Sequence, residues 1–148
     1  MSTYEPFDQI ASRELRQPIS LYDLCRENIG WYTDKAIADS HLDDWGLNGL
    51  SGLYFLWHKE DYCSVHHRFH MRALYVGKGA LPARLKAHWL KKPTEELMLI
   101  YFSYVVLANR MAKYIEQLIL DCYNLPFNQA ENLGELSLCA HFEQAEVD

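Results

Sequence analysis

Apolar residues follow two rhythms in this chain. Between positions 51 and 108 they gather in short, mostly unbroken runs at 53–57, 72–76 and 97–107. Runs of that length, rich in Tyr, Phe, Val and Leu, predict β-strands, and the third, apolar on both faces, predicts a central place in its sheet. Beyond 109 the spacing changes. Met111, Ile115, Leu118, Ile119 and Cys122 recur at intervals of three and four, which predicts an amphipathic helix over 110–123, capped by Asn109 and ended by Asn124-Leu125-Pro126. Another helix is expected at 81–91, with Pro82 in the first turn, where a missing N–H is tolerated. Strand, strand, helix, strand, helix reads as α+β: a small three-stranded, mostly antiparallel sheet flanked by helices.

The flanks are less regular. Ser20 precedes Leu21-Tyr22-Asp23-Leu24-Cys25, with Asp23 placed three residues on as in a capping box, so a helix is expected to start there and to end near Gly30. A second is expected over 33–41, and residues 47–52 form a turn-rich joint. Three regions result: a helical N-terminal extension (1–50), a core (51–129) and a C-terminal tail (130–148) with a short helix expected near 136–142.

Charge sharpens this division. The 148 residues carry a net charge of −6, which argues against a phosphate-covered partner. Residues 1–50 have a balance of −5, residues 51–128 of +4, and residues 129–148 of −5. A basic centre between acidic flanks is compatible with phosphate binding at the centre, and leaves the flanks as a surface for a protein partner. Within it, Lys78, Arg84, Lys86, Lys91 and Lys92 stand with His88 in a stretch without acid. No apolar run reaches bilayer length, no secretory signal opens the chain, and the four cysteines are scattered, so a cytoplasmic location with reduced thiols is expected.

Candidate chemistry lies in the same central region. Gly52-Leu53-Tyr54 and Tyr75-Val76-Gly77-Lys78 each place one tyrosine in a strand. Gly77 and Gly79 let the backbone approach a substrate closely, and Lys78 could bind a phosphate. Arg84 and His88 are four apart on one predicted helix and project from one face. Arginine donates two parallel hydrogen bonds to phosphate oxygens, and histidine exchanges protons near neutrality. Glu116 interrupts an apolar helix, where a carboxylate is costly unless a cation or donor meets it.

The ordered set resembles the GIY-YIG nuclease family over roughly residues 51–129, with Leu53 and Val76 standing where isoleucines are usual. The resemblance implies an endonuclease that hydrolyses phosphodiester bonds of nucleic acid, DNA ahead of RNA, with one divalent ion. It assigns Glu116 as the ligand of Mg²⁺ or Mn²⁺. Arg84 would contact the phosphate, and Tyr54, Tyr75 and His88 would surround the attacking water, with either phenol open as the base. Gly77, Lys78, Lys86 and Asn128 would contact the substrate or hold the loop that does, Asn128 by tying that loop to the strands. The alternative is a module that kept this scaffold for binding nucleic acid or protein and does not cleave.

Residues 59–70 read as an inserted loop, since compact members of the family separate the two tyrosines by fewer positions. It contains Cys63, His66, His67 and His70. Cys63, His66 and His70 could nearly surround a zinc ion, although their spacing fits no common zinc module.

Overall fold

A computed structural model of the chain describes residues 4–17, 19–32, 46–81, 83–84, 100–128 and 132–143. In chain order the elements are α1 (Glu5–Glu14), α2 (Leu21–Arg26), β1 (Ile29–Tyr32), β2 (Ser51–Cys63), β3 (Arg68–Ala80), β4 (Ile100–Val106), α3 (Asn109–Cys122) and β5 (Cys139–Phe142). The fold is α+β, as the sequence predicts, but the sheet has five antiparallel strands in the order β1-β4-β2-β3-β5. The three expected strands are its centre, and a short strand from each flank extends it at either edge.

Both additions correct the sequence reading. Gly30 does not end a helix; it lies in β1 opposite Phe102, whose ring occupies the space a Cβ would need. The expected helix near 136–142 is instead β5, paired with β3. A third correction concerns residues 59–70. They are mostly strand, because β2 and β3 run on past the expected ends and turn through 64–67, where His67 takes a positive φ of 54°. The predicted helix over 33–41 lies outside the described residues. So does most of that over 81–91, of which Leu81, Ala83 and Arg84 have helical backbone.

Alternation along β2 decides what each face meets. Leu53, Phe55 and Trp57 point to one side, together with Met71, Ala73 and Val76 from β3, and are buried there against Ala112, Ile115, Leu118 and Ile119 of α3 and against Phe7, Leu21 and Leu24 of α1 and α2. The Trp57 indole N–H donates to Ser103 Oγ at 2.8 Å, satisfying the polar edge of the largest buried ring. Each fully buried Phe or Leu in such a cluster contributes roughly 1.5–3 kcal/mol. Ser20 caps α2 by accepting from the Asp23 N–H, as its sequence predicts. Tyr114 of α3 donates to Glu14 of α1, and that hydrogen bond raises the Tyr114 pKa to about 12.

On the other face lies a smaller cluster of Leu47, Tyr54, Leu56, Leu74, Leu81 and Phe102, with Tyr75, Tyr104 and Phe127 partly buried against it. The pairing of β2 with β3 slips by one residue between Leu56↔Tyr75 and Trp57↔Ala73, so Leu74 is an extra residue in β3. A bulge of this kind re-aims the side chains beside it. Here it sends both Leu74 and Tyr75 into the smaller cluster.

Candidate active site

The two motif tyrosines meet. Tyr54 and Tyr75 lie on adjacent strands with ring centroids 5.9 Å apart and planes tilted by 31°. Gly77 stands opposite Tyr54 in the ladder. A Cβ at Gly77 would lie 2.6 Å from the Tyr54 hydroxyl and 2.6 Å from Tyr75 Cε1, so only glycine lets both rings occupy this spot. Tyr54 is fully buried whereas Tyr75 is half-buried, which makes Tyr75 the phenol that an incoming molecule can reach.

Arg84 closes one side. Its Nε donates to the Lys78 carbonyl at 3.2 Å, and a Cβ at Gly79 would lie 3.0 Å from that nitrogen. Gly79 has φ +131°, a region that L side chains rarely enter, so glycine is required there on two counts. The Arg84 side chain is exposed, and its terminal nitrogens are the ones a phosphate would meet.

Asn128 fixes the strand between these groups. Its Oδ1 accepts from the Val76 N–H at 3.0 Å, and its Nδ2 donates to the Val76 carbonyl at 2.9 Å. The neighbouring Phe127 N–H donates to the carbonyl of the bulge residue Leu74 at 2.8 Å. With each end of its amide bonded to the Val76 backbone, Asn128 holds the strand between Tyr75 and Gly77. This is the loop-tying role expected of it.

The remaining residues are placed differently. Lys78 is opposite Leu53, on the helix-covered face, and its Nζ donates to Asn109 Oδ1 at 2.9 Å. Asn109 therefore does not cap α3; Ala108 holds the cap position without a side-chain hydrogen bond. Glu116 is half-buried beside Ile115 on α3, which packs on that same face. The sheet therefore stands between the tyrosine rings and the helix that carries Glu116. His88 and Lys86 lie outside the described residues. Thus Tyr54, Tyr75, Gly77, Gly79 and Arg84 are gathered on one side, while Lys78 and the Glu116 helix are on the other. Parity was a readable signal for Lys78, since three residues separate it from Tyr75 and a strand turns such pairs apart.

No known protein family, curated protein or solved structure matches the chain.

The far end of the β2–β3 hairpin carries a second chemical group. Cys63 Sγ lies 3.2 Å from His66 Nδ1, and N–H groups of His66 and Val65 also address the sulfur, holding the thiol pKa below its usual value. His70 Nδ1 lies 3.3 Å from Nε2 of His141, its partner in β5. Burial, then His70 and His66, depress the His141 pKa. His141 could not be anticipated from the sequence, because it stands 71 positions from His70 in a four-residue strand without periodicity. His67 turns elsewhere, to the Tyr62 hydroxyl. Among the described residues no helix is long and apolar enough to cross a membrane.

Proposed function

We propose that this protein is a metal-dependent endonuclease cleaving phosphodiester bonds of nucleic acid, DNA ahead of RNA. The observation that carries the reading is the packing at Gly77, where two phenols meet over a residue that must be glycine while an exposed guanidinium, that of Arg84, packs against Gly79 two residues along. Hydrolysis needs a deprotonated water, positive charge on the phosphoryl oxygens and protonation of the leaving oxygen. Tyr75 is the reachable phenol and would orient the water and accept its proton. Tyr54, buried behind it, would hold that ring in place. A phenol with a pKa near 10 is a weak base unless a cation lies close, and Arg84, packed against Gly79, is a cation on this face. The same guanidinium would bind the non-bridging oxygens through its terminal nitrogens. His88 is the proposed proton donor to the leaving oxygen.

Mg²⁺ takes few protein ligands and completes its shell with water and phosphate, so one carboxylate is chemically sufficient. Glu116 is the carboxylate that the resemblance assigns to the ion, but α3 lies across the sheet from Tyr75 and Arg84, so the described residues do not bring it to the phosphate and no step is routed through it. Specificity would lie with Lys86, the flanks or the hairpin tip.

A second reading is a module that binds nucleic acid or protein without cleaving. It is favoured by one observation: α3 lies across the sheet from the tyrosine rings, while Tyr54 is fully buried. One experiment separates the two. The protein is incubated with plasmid, single-stranded, branched and RNA substrates, with Mg²⁺ or Mn²⁺ and with EDTA. The nuclease reading expects nicking that EDTA abolishes and that Glu116→Ala reduces by about 10²-fold or more, with folding unchanged. Metal-independent binding without cleavage of any substrate supports the module, and equal cleavage by wild type and Glu116→Ala removes Glu116 from the mechanism.

A further inference from the structure

We propose that His70 and His141 form an acid-sensitive latch, which holds β5 to the sheet while one ring keeps a bare nitrogen and releases it when both are protonated. The sequence pattern sets the pair. Along β3, Phe69 and Met71 pack into the larger cluster, so Arg68, His70 and Arg72 project to the other side. In β5, Ala140 and Phe142 are buried, and His141 between them stands opposite His70. His70 Nδ1 and His141 Nε2 are 3.3 Å apart, an imidazole–imidazole hydrogen bond. Such a bond takes an N–H from one ring and a lone pair from the other. A proton on each facing nitrogen leaves two like charges in contact and no acceptor between them. The zinc arrangement expected of Cys63, His66 and His70 is not formed, since no three His, Cys, Asp or Glu side chains among the described residues are placed to hold an ion. Cys63 Sγ pairs with His66 Nδ1 instead, at 3.2 Å.

Among the described residues, the groups facing the pair are Arg68 and Arg72 from β3, His58, Glu60 and Cys63 from β2, His66 from the turn, and Cys139 and Glu143 from β5. Both carboxylates are engaged, Glu143 by Arg68 at 3.0 Å and Glu60 by Arg72 at 3.1 Å. A second imidazolium would therefore enter a neighbourhood whose acids already answer to cations. Burial, then the nearby His70 and His66, hold the His141 pKa below its ordinary value of 6.5. A ring that resists protonation while docked, and takes a proton freely once released, makes release consume protons. Docking is complete above about pH 6.5 and is lost progressively as pH falls below it. The hold to be overcome is small. β5 has four residues, anchored by the Phe142 ring against Trp57 and continued by the Ala73 N–H, which donates to the Leu138 carbonyl at 2.9 Å. Release would bare the outer edge of β3 as far as Ala73, while Phe127 and Asn128 keep their bonds to Leu74 and Val76. The latch is thus separable from the site proposed for cleavage.

The test is amide hydrogen exchange of the full chain at about pH 7.5 and about pH 5.5, with protection corrected for intrinsic rates. Protection of the Ala73 N–H and of the β5 amides should fall at least about threefold on acidification, relative to the β2–β4 ladder, the factor that half a pKa unit supplies. His141→Gln, at an exposed position, and His70→Gln each remove one titrating ring and should abolish that fall. Glu143→Gln should keep it, because both imidazoles remain; loss of the fall there assigns it to the carboxylate and overturns the latch. Equal protection of wild type at the two pH values also overturns the proposal, as does a fall of wild-type size in either His→Gln variant. Far-ultraviolet circular dichroism at the higher pH verifies that each variant is folded.

Discussion

Among the described residues, the two faces of the sheet differ in depth. On one, Leu53, Phe55, Trp57 and Val76 lie under three helices and form a continuous core with Phe7, Ile115 and Ile119. On the other, Tyr54 and Leu56 meet, among the described residues, a smaller cluster whose edge is made of half-buried rings. The difference teaches where stability and chemistry are divided. The interior of the thick side is largely apolar, and the indole N–H of Trp57 is met there by Ser103. The thin side holds phenols, a guanidinium and a bulge pinned by side-chain hydrogen bonds, features that specify position more than they bury area. A substitution on the thick side should therefore act through folding, and one on the thin side through geometry.

That contrast can be broken in several ways. Trp57→Ala should have the largest effect, a loss of about 3–5 kcal/mol in chemical denaturation, because it empties the centre of the thick side. A loss no larger than that of a thin-side variant would erase the distinction. Gly77→Ala inserts a carbon 2.6 Å from both tyrosines, and the rings must move. We expect a cost of about 1–3 kcal/mol together with loss of any cleavage. Asn128→Ala leaves the Val76 N–H and carbonyl without these partners and should cost about 1–3 kcal/mol. Its signature is faster hydrogen exchange at Val76 than at Phe55. The smallest effect belongs to Tyr114→Phe, well under about 1 kcal/mol because the contact with Glu14 is exposed. The folded Tyr114 pKa of about 12 lies above the ordinary value of 10. The contribution is thus complete below pH 10 and disappears as pH rises through 12, so wild type and variant should converge in stability there.

Much of the centre was legible because its signals are strong. The apolar run in β4 and the three- and four-residue spacing of Met111, Ile115 and Leu118 admit few alternatives. The meeting of Tyr54 and Tyr75 is what the resemblance implied, by setting their motifs on adjacent strands. Elements at the edges were not legible. β1 and β5 have four residues each, too few for a period, and are strands because β4 and β3 offer them open edges. Residues 59–70 read as a loop because the family spacing makes them an insertion, and their largely solvated side chains offer little alternation to mark them as strand. The side of the sheet chosen by α3 depends on how the chain leaves Val106, and no residue pattern within the helix encodes that choice.

The Asn128 amide spans 52 positions of sequence to grip one peptide on each side of Val76. A slide of β3 by a single step would bring a different residue to that grip and turn every β3 ring over to the opposite surface. Asn128 thus serves as a proofreader of strand alignment.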